Sequence, residues 1–119
     1  MSAIHLTKGG FERRVARIDK LAEGWNFIGE RPAVIDFFAP WCGPCQRLSP
    51  IIDEVAKELE GKVDIYKVNV DDEQELSDLF QIRSIPTLLF IPMKDEPIRT
   101  MGAFSKAQLL ETINEQLLK

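Results

Sequence analysis

The sequence predicts an α/β fold in which a mixed central sheet of about five strands carries about four helices on its two faces. Three observations lead there. Runs of strand length alternate with segments of helical periodicity through most of the chain. One of those runs, residues 33–39, is apolar almost throughout, as a strand covered on both faces must be. The last two strand-like runs are separated only by turn residues, which makes them an antiparallel hairpin.

The elements follow in order. Residues 3–6 form a short strand, and Thr7 caps a helix on which Phe11, Val15, Ile18 and Ala22 recur at helical spacing until Gly24 stops it. A loop with Trp25, Phe27, Gly29 and Pro32 leads into the strand at 33–39, which Asp36 interrupts. Over 43–60, Leu48, Ile52, Val55 and Leu59 trace one helical face, Gly61 is the stop signal, and Pro50 should kink the helix. A strand at 63–70 precedes Asp71 and Asp72, which suit the positive end of a helix at 73–80. Strands at 86–91 and 98–101 flank a turn at 94–97. Ser105 with Gln108 makes a capping box that opens a last helix, whose Leu109, Ile113 and Leu117 face the sheet.

Composition narrows the function. With 119 residues, 45% of them hydrophobic, the chain fits one compact domain over 1–119 and leaves no room for a second. Its net charge of -4 supplies no general attraction for phosphate backbones or anionic lipid, so neither nucleic acid nor a membrane is an expected partner. No apolar run approaches the roughly 18 residues needed to cross a bilayer, and the start lacks a secretory pattern. A cytoplasmic protein is expected; a leader removed ahead of Met1 would make it periplasmic or secreted instead.

Both cysteines of the chain fall in Cys42-Gly43-Pro44-Cys45. A structural zinc site takes four ligands, and the only histidine, His5, is distant in sequence, so no metal is expected. A structural bridge over two residues would close too small a loop to restrain the unfolded chain much. The redox reading has a mechanism of its own. The motif lies where an apolar strand hands over to a helix, so Cys42 stands at the helix edge, where free N–H groups and the macrodipole favour a thiolate. Cys42 is then the nucleophile, and Cys45, one turn inward, the thiol that resolves a mixed disulfide.

The stretch Val34-Ile35-Asp36-Phe37-Phe38-Ala39-Pro40-Trp41-Cys42-Gly43-Pro44-Cys45 closely resembles the active-site segment of the thioredoxin family. Arg83-Ser84-Ile85-Pro86-Thr87 resembles the family's cis-proline loop, Met101-Gly102-Ala103 its substrate-groove glycine, and Ile4-His5-Leu6-Thr7 its first strand. These likenesses span nearly the whole chain in the right order. They imply the thioredoxin fold and a protein-disulfide reductase, a monomeric electron carrier without bound cofactor. Such a carrier acts on disulfide-containing proteins and is recharged by a thioredoxin-reductase-type enzyme.

The resemblance also assigns residues. An unpaired carboxylate within a doubly covered strand is costly, so the Asp36 carboxyl should titrate high. The likeness makes Asp36 the proton acceptor and donor for Cys45; hydrogen bonding to water for structural reasons is the plainer alternative. Lys67 matches the lysine that pairs with this aspartate, although alone it could be a snorkelling surface lysine. The Ile85-Pro86 bond is implied to be cis, with Trp41, Gly43, Pro44, Ile85, Gly102 and Ala103 forming a shallow groove around Cys42. Trp41 as ordinary packing is the alternative.

Other features depart from the family. Phe38 stands where tryptophan is common, and the segment 10–32 is longer than usual. Trp25 and Phe27 are expected to bury under a longer first helix, with partner binding as the alternative, and Arg13, Arg14 and Arg17 to form a solvated stripe on it. Two rival functions are a binding module whose dithiol is incidental, and an oxidant that makes disulfides. Pro44 speaks against the oxidant, because it brings no charge to stabilise the Cys42 thiolate.

Overall fold

The computed structural model describes residues 3–119; Met1, and with it the expectation of a removed leader, lies outside them. The strands are β1 (Ile4–His5), β2 (Ala33–Phe38), β3 (Asp64–Asn69), β4 (Thr87–Ile91) and β5 (Ile98–Met101). The helices are α1 (Lys8–Arg14), α2 (Gly43–Glu58), α3 (Gln74–Leu79) and α4 (Lys106–Leu117), with a 3-10 helix at Ile18–Glu23. The five strands join in the order β1-β3-β2-β4-β5, parallel among β1, β3 and β2 and antiparallel from β2 through β4 to β5. The mixed sheet expected from alternation followed by a hairpin is the one that forms.

β2 is central because its residues suit burial on both faces. The pleat sends Ala33, Ile35 and Phe37 into a core with Phe11, Val15, Tyr66 and Leu76 from α1, β3 and α3. Val34 joins the opposite core, built by Leu48, Ile52 and Val55 of α2 and Leu109 and Ile113 of α4. Asp36 and Phe38 follow Val34 in the same alternation, so the carboxylate points towards the α2 side. β4 begins at Thr87, one residue later than the apolar run suggests, since Pro86 has no N–H to give the ladder.

The first helix is shorter than its periodicity implies. α1 ends at Arg14, where the N–H groups of Val15 and Ala16 both donate to the Phe11 carbonyl. The Val15 carbonyl then accepts from Ile28 of the returning loop at 2.9 Å and is not available to continue the helix. The Glu12 carboxylate receives the Ile18 N–H at 3.4 Å and so helps start the separate 3-10 helix. Ile18 and Leu21 still pack on the core, but Ala22 is exposed. Gly24, at φ 121°, follows this 3-10 helix and not a continuous α-helix.

Trp25 and Phe27 pack half-buried against the α1–α3 core, where Phe80 gathers Phe11, Trp25 and Phe37 around it at ring-centroid distances of 5.7, 6.3 and 5.8 Å. The Phe27 ring lies so close over Gly29 that a Cβ there would stand 2.3 Å from it, which explains the glycine. Arg13, Arg14 and Arg17 are exposed. Arg13 and Arg14 border a cleft of about 520 Å3 together with Arg31. Arg31 pairs with Asp64 at 3.1 Å.

α2 continues through Pro50 to Glu58, and Gly61 follows it at φ 84°. Asp71 and Asp72 precede α3 without capping it; Glu73 is the N-cap residue and its side chain makes no cap bond. The capping box of α4 has both halves: Gln108 N–H donates to Ser105 Oγ at 3.1 Å, and Ser105 N–H donates to Gln108 Oε1 at 3.0 Å.

Candidate active site

The dithiol occupies the turn from β2 into α2. Cys42 is the N-cap residue of α2 in extended conformation, and Cys45 N–H donates to Cys42 Sγ at 3.2 Å, so a sulfur takes the place of a usual capping oxygen. The two cysteines are joined as a disulfide. Both are buried, at 5% exposure for Cys42 and 2% for Cys45, in a small apolar cluster with Ala39, flanked by Phe38, Val70 and Ile85. Pro44 lies in the first turn of α2, where its missing N–H costs no helical bond. Gln46 Nε2 donates to the Pro40 carbonyl at 2.6 Å and ties the turn to the helix.

A second segment comes up beside the sulfurs. The Ile85–Pro86 peptide is cis, and the Ile85 carbonyl oxygen stands 3.9 Å from Cys42 Sγ. Thr87 Oγ1 donates to the Ser84 carbonyl at 2.6 Å, closing the loop from inside. Gly102 N–H donates to the Pro86 carbonyl at 2.9 Å, with Gly102 at φ 96°, a conformation that favours glycine. The end of β5 is thereby drawn to the cis-proline loop. Gly102 and Ala103 are exposed, Ile85 is half-buried and Pro86 buried.

Trp41 is 71% exposed, too open for a packing role, and its Nε1 donates to Asp71 Oδ2 at 2.9 Å. Asp71 is held in turn by its N–H bond to Asn69 Oδ1 at 3.0 Å. Sequence reasoning assigned Asp71 to a helix terminus and missed this anchor, which depends on a contact across thirty positions. Met101, 66% exposed next to Gly102, is a further apolar surface it did not single out.

Asp36 is 1% exposed, and neither of its oxygens has a hydrogen-bond partner. Burial pushes its carboxyl up to about 7; Lys67 opposes the rise and Asp53 adds to it. Lys67 is directly opposite Asp36 in the β2–β3 register, but the expected pairing is not a direct contact. Its Nζ donates to Ser49 Oγ at 2.5 Å and stands 5.4 Å from the Phe38 ring centroid. The reason is competition: a hydroxyl on α2 and an aromatic face on β2 offer the ammonium another seat. Ser49 carried no signal in the sequence beyond being a hydroxyl within a helix.

The arrangement can therefore form and break a disulfide at a helix edge, and the strand that leads into that edge carries a buried acid able to hold or release a proton near neutral pH. The thioredoxin family model matches residues 3–115. A thioredoxin of Borreliella burgdorferi is 45% identical over 100 residues, covering 84% of this chain and 85% of that protein. A thioredoxin of Haemophilus influenzae is 48% identical over 86 residues, covering 72% and 80%. The crystal structure of chloroplastic thioredoxin z superposes with a TM-score of 0.77 at 28% identity, over 97% of this chain and 94% of that one. The family model spans nearly the whole chain, the two relatives cover more than two thirds of it at 45% and 48% identity, and the protein belongs to the thioredoxin family.

Proposed function

We infer that the protein is a protein-disulfide reductase working by dithiol–disulfide exchange through Cys42 and Cys45. The single observation that carries this is the cysteine pair bridged at the N-terminus of α2, with Cys42 Sγ accepting a helix N–H. In the reduced protein the Cys42 thiolate attacks one sulfur of a substrate disulfide; that S–S bond breaks and a mixed disulfide forms. Cys45 then gives its proton to Asp36 and attacks Cys42 Sγ, which re-forms the Cys42–Cys45 bond and releases the second substrate thiolate. Two electrons pass to the substrate, and protons from Asp36 and water complete its two thiols.

Trp41, Gly43, Pro44, Ile85, Pro86, Gly102 and Ala103 serve as the groove for an extended substrate strand, with the Ile85 backbone available for strand pairing. Lys67 takes part by easing ionisation of Asp36. The working group is the protein's own disulfide, with no bound cofactor, and a separate reductase recharges it. We take residues 1–119 to act as one domain and as a monomer, in the cytoplasm, where thiols are kept reduced.

The test is equilibration of the Cys42/Cys45 pair against a glutathione series, together with turnover of a disulfide-bearing protein. A potential near about -270 mV, the value known for thioredoxin itself and not a derivation from this fold, is expected. A value near about -120 mV would make the protein an oxidant, and a Cys42→Ser variant that still turned over would refute the mechanism.

A further inference from the structure

Asp36 and Lys67 face each other across two strands, yet neither Asp36 oxygen accepts a hydrogen bond from the ammonium. In a buried site an opposite charge this near should close on the carboxylate, because little water screens the attraction. Lys67 is only 8% exposed, so solvent does not supply the alternative. Two protein groups do: Ser49 Oγ at 2.5 Å and the Phe38 ring at 5.4 Å. Ser49 is also four positions after Cys45 on α2, one turn along the same helix face.

We propose that Ser49 is a positioning residue for the exchange reaction: its hydroxyl, with the Phe38 ring, holds the Lys67 ammonium off Asp36, leaving the carboxylate unpaired and able to take and return a proton. The proposal rests on the proton-handling role of Asp36 given above. The surroundings limit which other charges act. Asp53 on α2 acts on Asp36 with the same sign, and Leu88, opposite it on β4, is apolar. Leu109 and Ile113 bring no charge from α4, and His5 on β1 stands beyond Lys67 against the Phe38 ring at 5.9 Å.

Removing the hydroxyl takes away the acceptor that now seats the ammonium on α2, so it turns to Asp36, its register partner, and favours the ionised form. Alanine suits a helix interior, so Ser49→Ala should fold. The probe is the Asp36 side-chain carboxyl 13C shift followed through a pH titration of the oxidised protein, alongside the pH profile of kcat/KM. Ser49→Ala should lower the Asp36 midpoint by about one unit or more and move the acidic limb of the profile by a similar amount. Ser49→Thr, which keeps a hydroxyl, should stay within a few tenths of a unit of the parent. In a Lys67→Met background, Ser49→Ala should cause no further change. A midpoint that Ser49→Ala leaves in place or raises, or one it lowers without Lys67, overturns the assignment. The titration needs no turnover, so an inactive protein would count against the exchange reading and an unmoved midpoint against Ser49.

Discussion

Replacing Asp36 by Asn should make the oxidised protein's stability respond differently to pH, and the size follows from the carboxyl's burial. The group titrates at about 7 in the fold against an ordinary 3.8. A raised acid binds its proton more tightly folded than unfolded, so stability is unaffected well below the unfolded value. It is lost progressively as pH climbs from about 4 to about 7, and stays lost above that. Three units at 1.36 kcal/mol each give a full cost of about 4 kcal/mol. Part of it is already present at about pH 4.5, so about 3 kcal/mol separates that pH from about 8.5. Asn removes this term; its own buried amide costs the same at both pH values and cancels in the comparison. Urea unfolding of both proteins at the two pH values reads the effect directly. Asp36→Asn should gain about 3 kcal/mol relative to the parent on going from the acid to the alkaline condition. Equal gaps at the two pH values would mean that Asp36 ionises as an ordinary surface carboxylate, and would refute the desolvation argument. The same variant should slow resolution of mixed disulfides, measured by stopped-flow fluorescence.

Reduced protein treated with iodoacetamide near neutral pH should be modified at Cys42 well before Cys45, as peptide mapping would show; faster labelling of Cys45 would reverse the roles. Cys45→Ser should accumulate mixed disulfides with protein substrates on non-reducing gels. Gly29→Ala must displace the Phe27 ring and should cost about 1–3 kcal/mol in urea unfolding while leaving the redox potential unchanged, since the site is remote from the dithiol. Ser105→Ala breaks the α4 capping box and should lower stability by about 1 kcal/mol, with full activity retained.

What was legible in the sequence depended on how local its cause was. The capping box of α4 is written in two residues three positions apart, and it formed as read. β2 was legible because a doubly covered strand has no polar face to disguise it. The break after Arg14 was not, because Val15, Ile18 and Leu21 remain apolar at helical intervals whether or not the backbone between them stays helical. The competitor there is a bond from Ile28 to the Val15 carbonyl, which no window around α1 contains. The site divides in the same way. Cys42 and Cys45 declare themselves by spacing, and Asp36 by being out of place in an apolar run. The partners that set their behaviour, Ser49 for Lys67 and Asp71 for Trp41, are ordinary polar residues whose meaning comes from register and chain return.

The bond from Cys45 N–H to Cys42 Sγ has a thermodynamic corollary. Since that sulfur is part of the helix cap, the bond adds to the folded stability of whichever redox form accepts the N–H more strongly. Folding and reduction then share one closed cycle: the gap in unfolding free energy between dithiol and disulfide forms equals the difference in potential between the folded pair and the same pair in the unfolded chain. About 30 mV of potential corresponds to about 1.4 kcal/mol of differential stability for this two-electron couple. A substitution anywhere in α2 that stabilises both forms equally raises the melting temperature and leaves reducing power alone. Only a change that stabilises the dithiol and disulfide forms by different amounts can turn a more robust carrier into a weaker or stronger reductant.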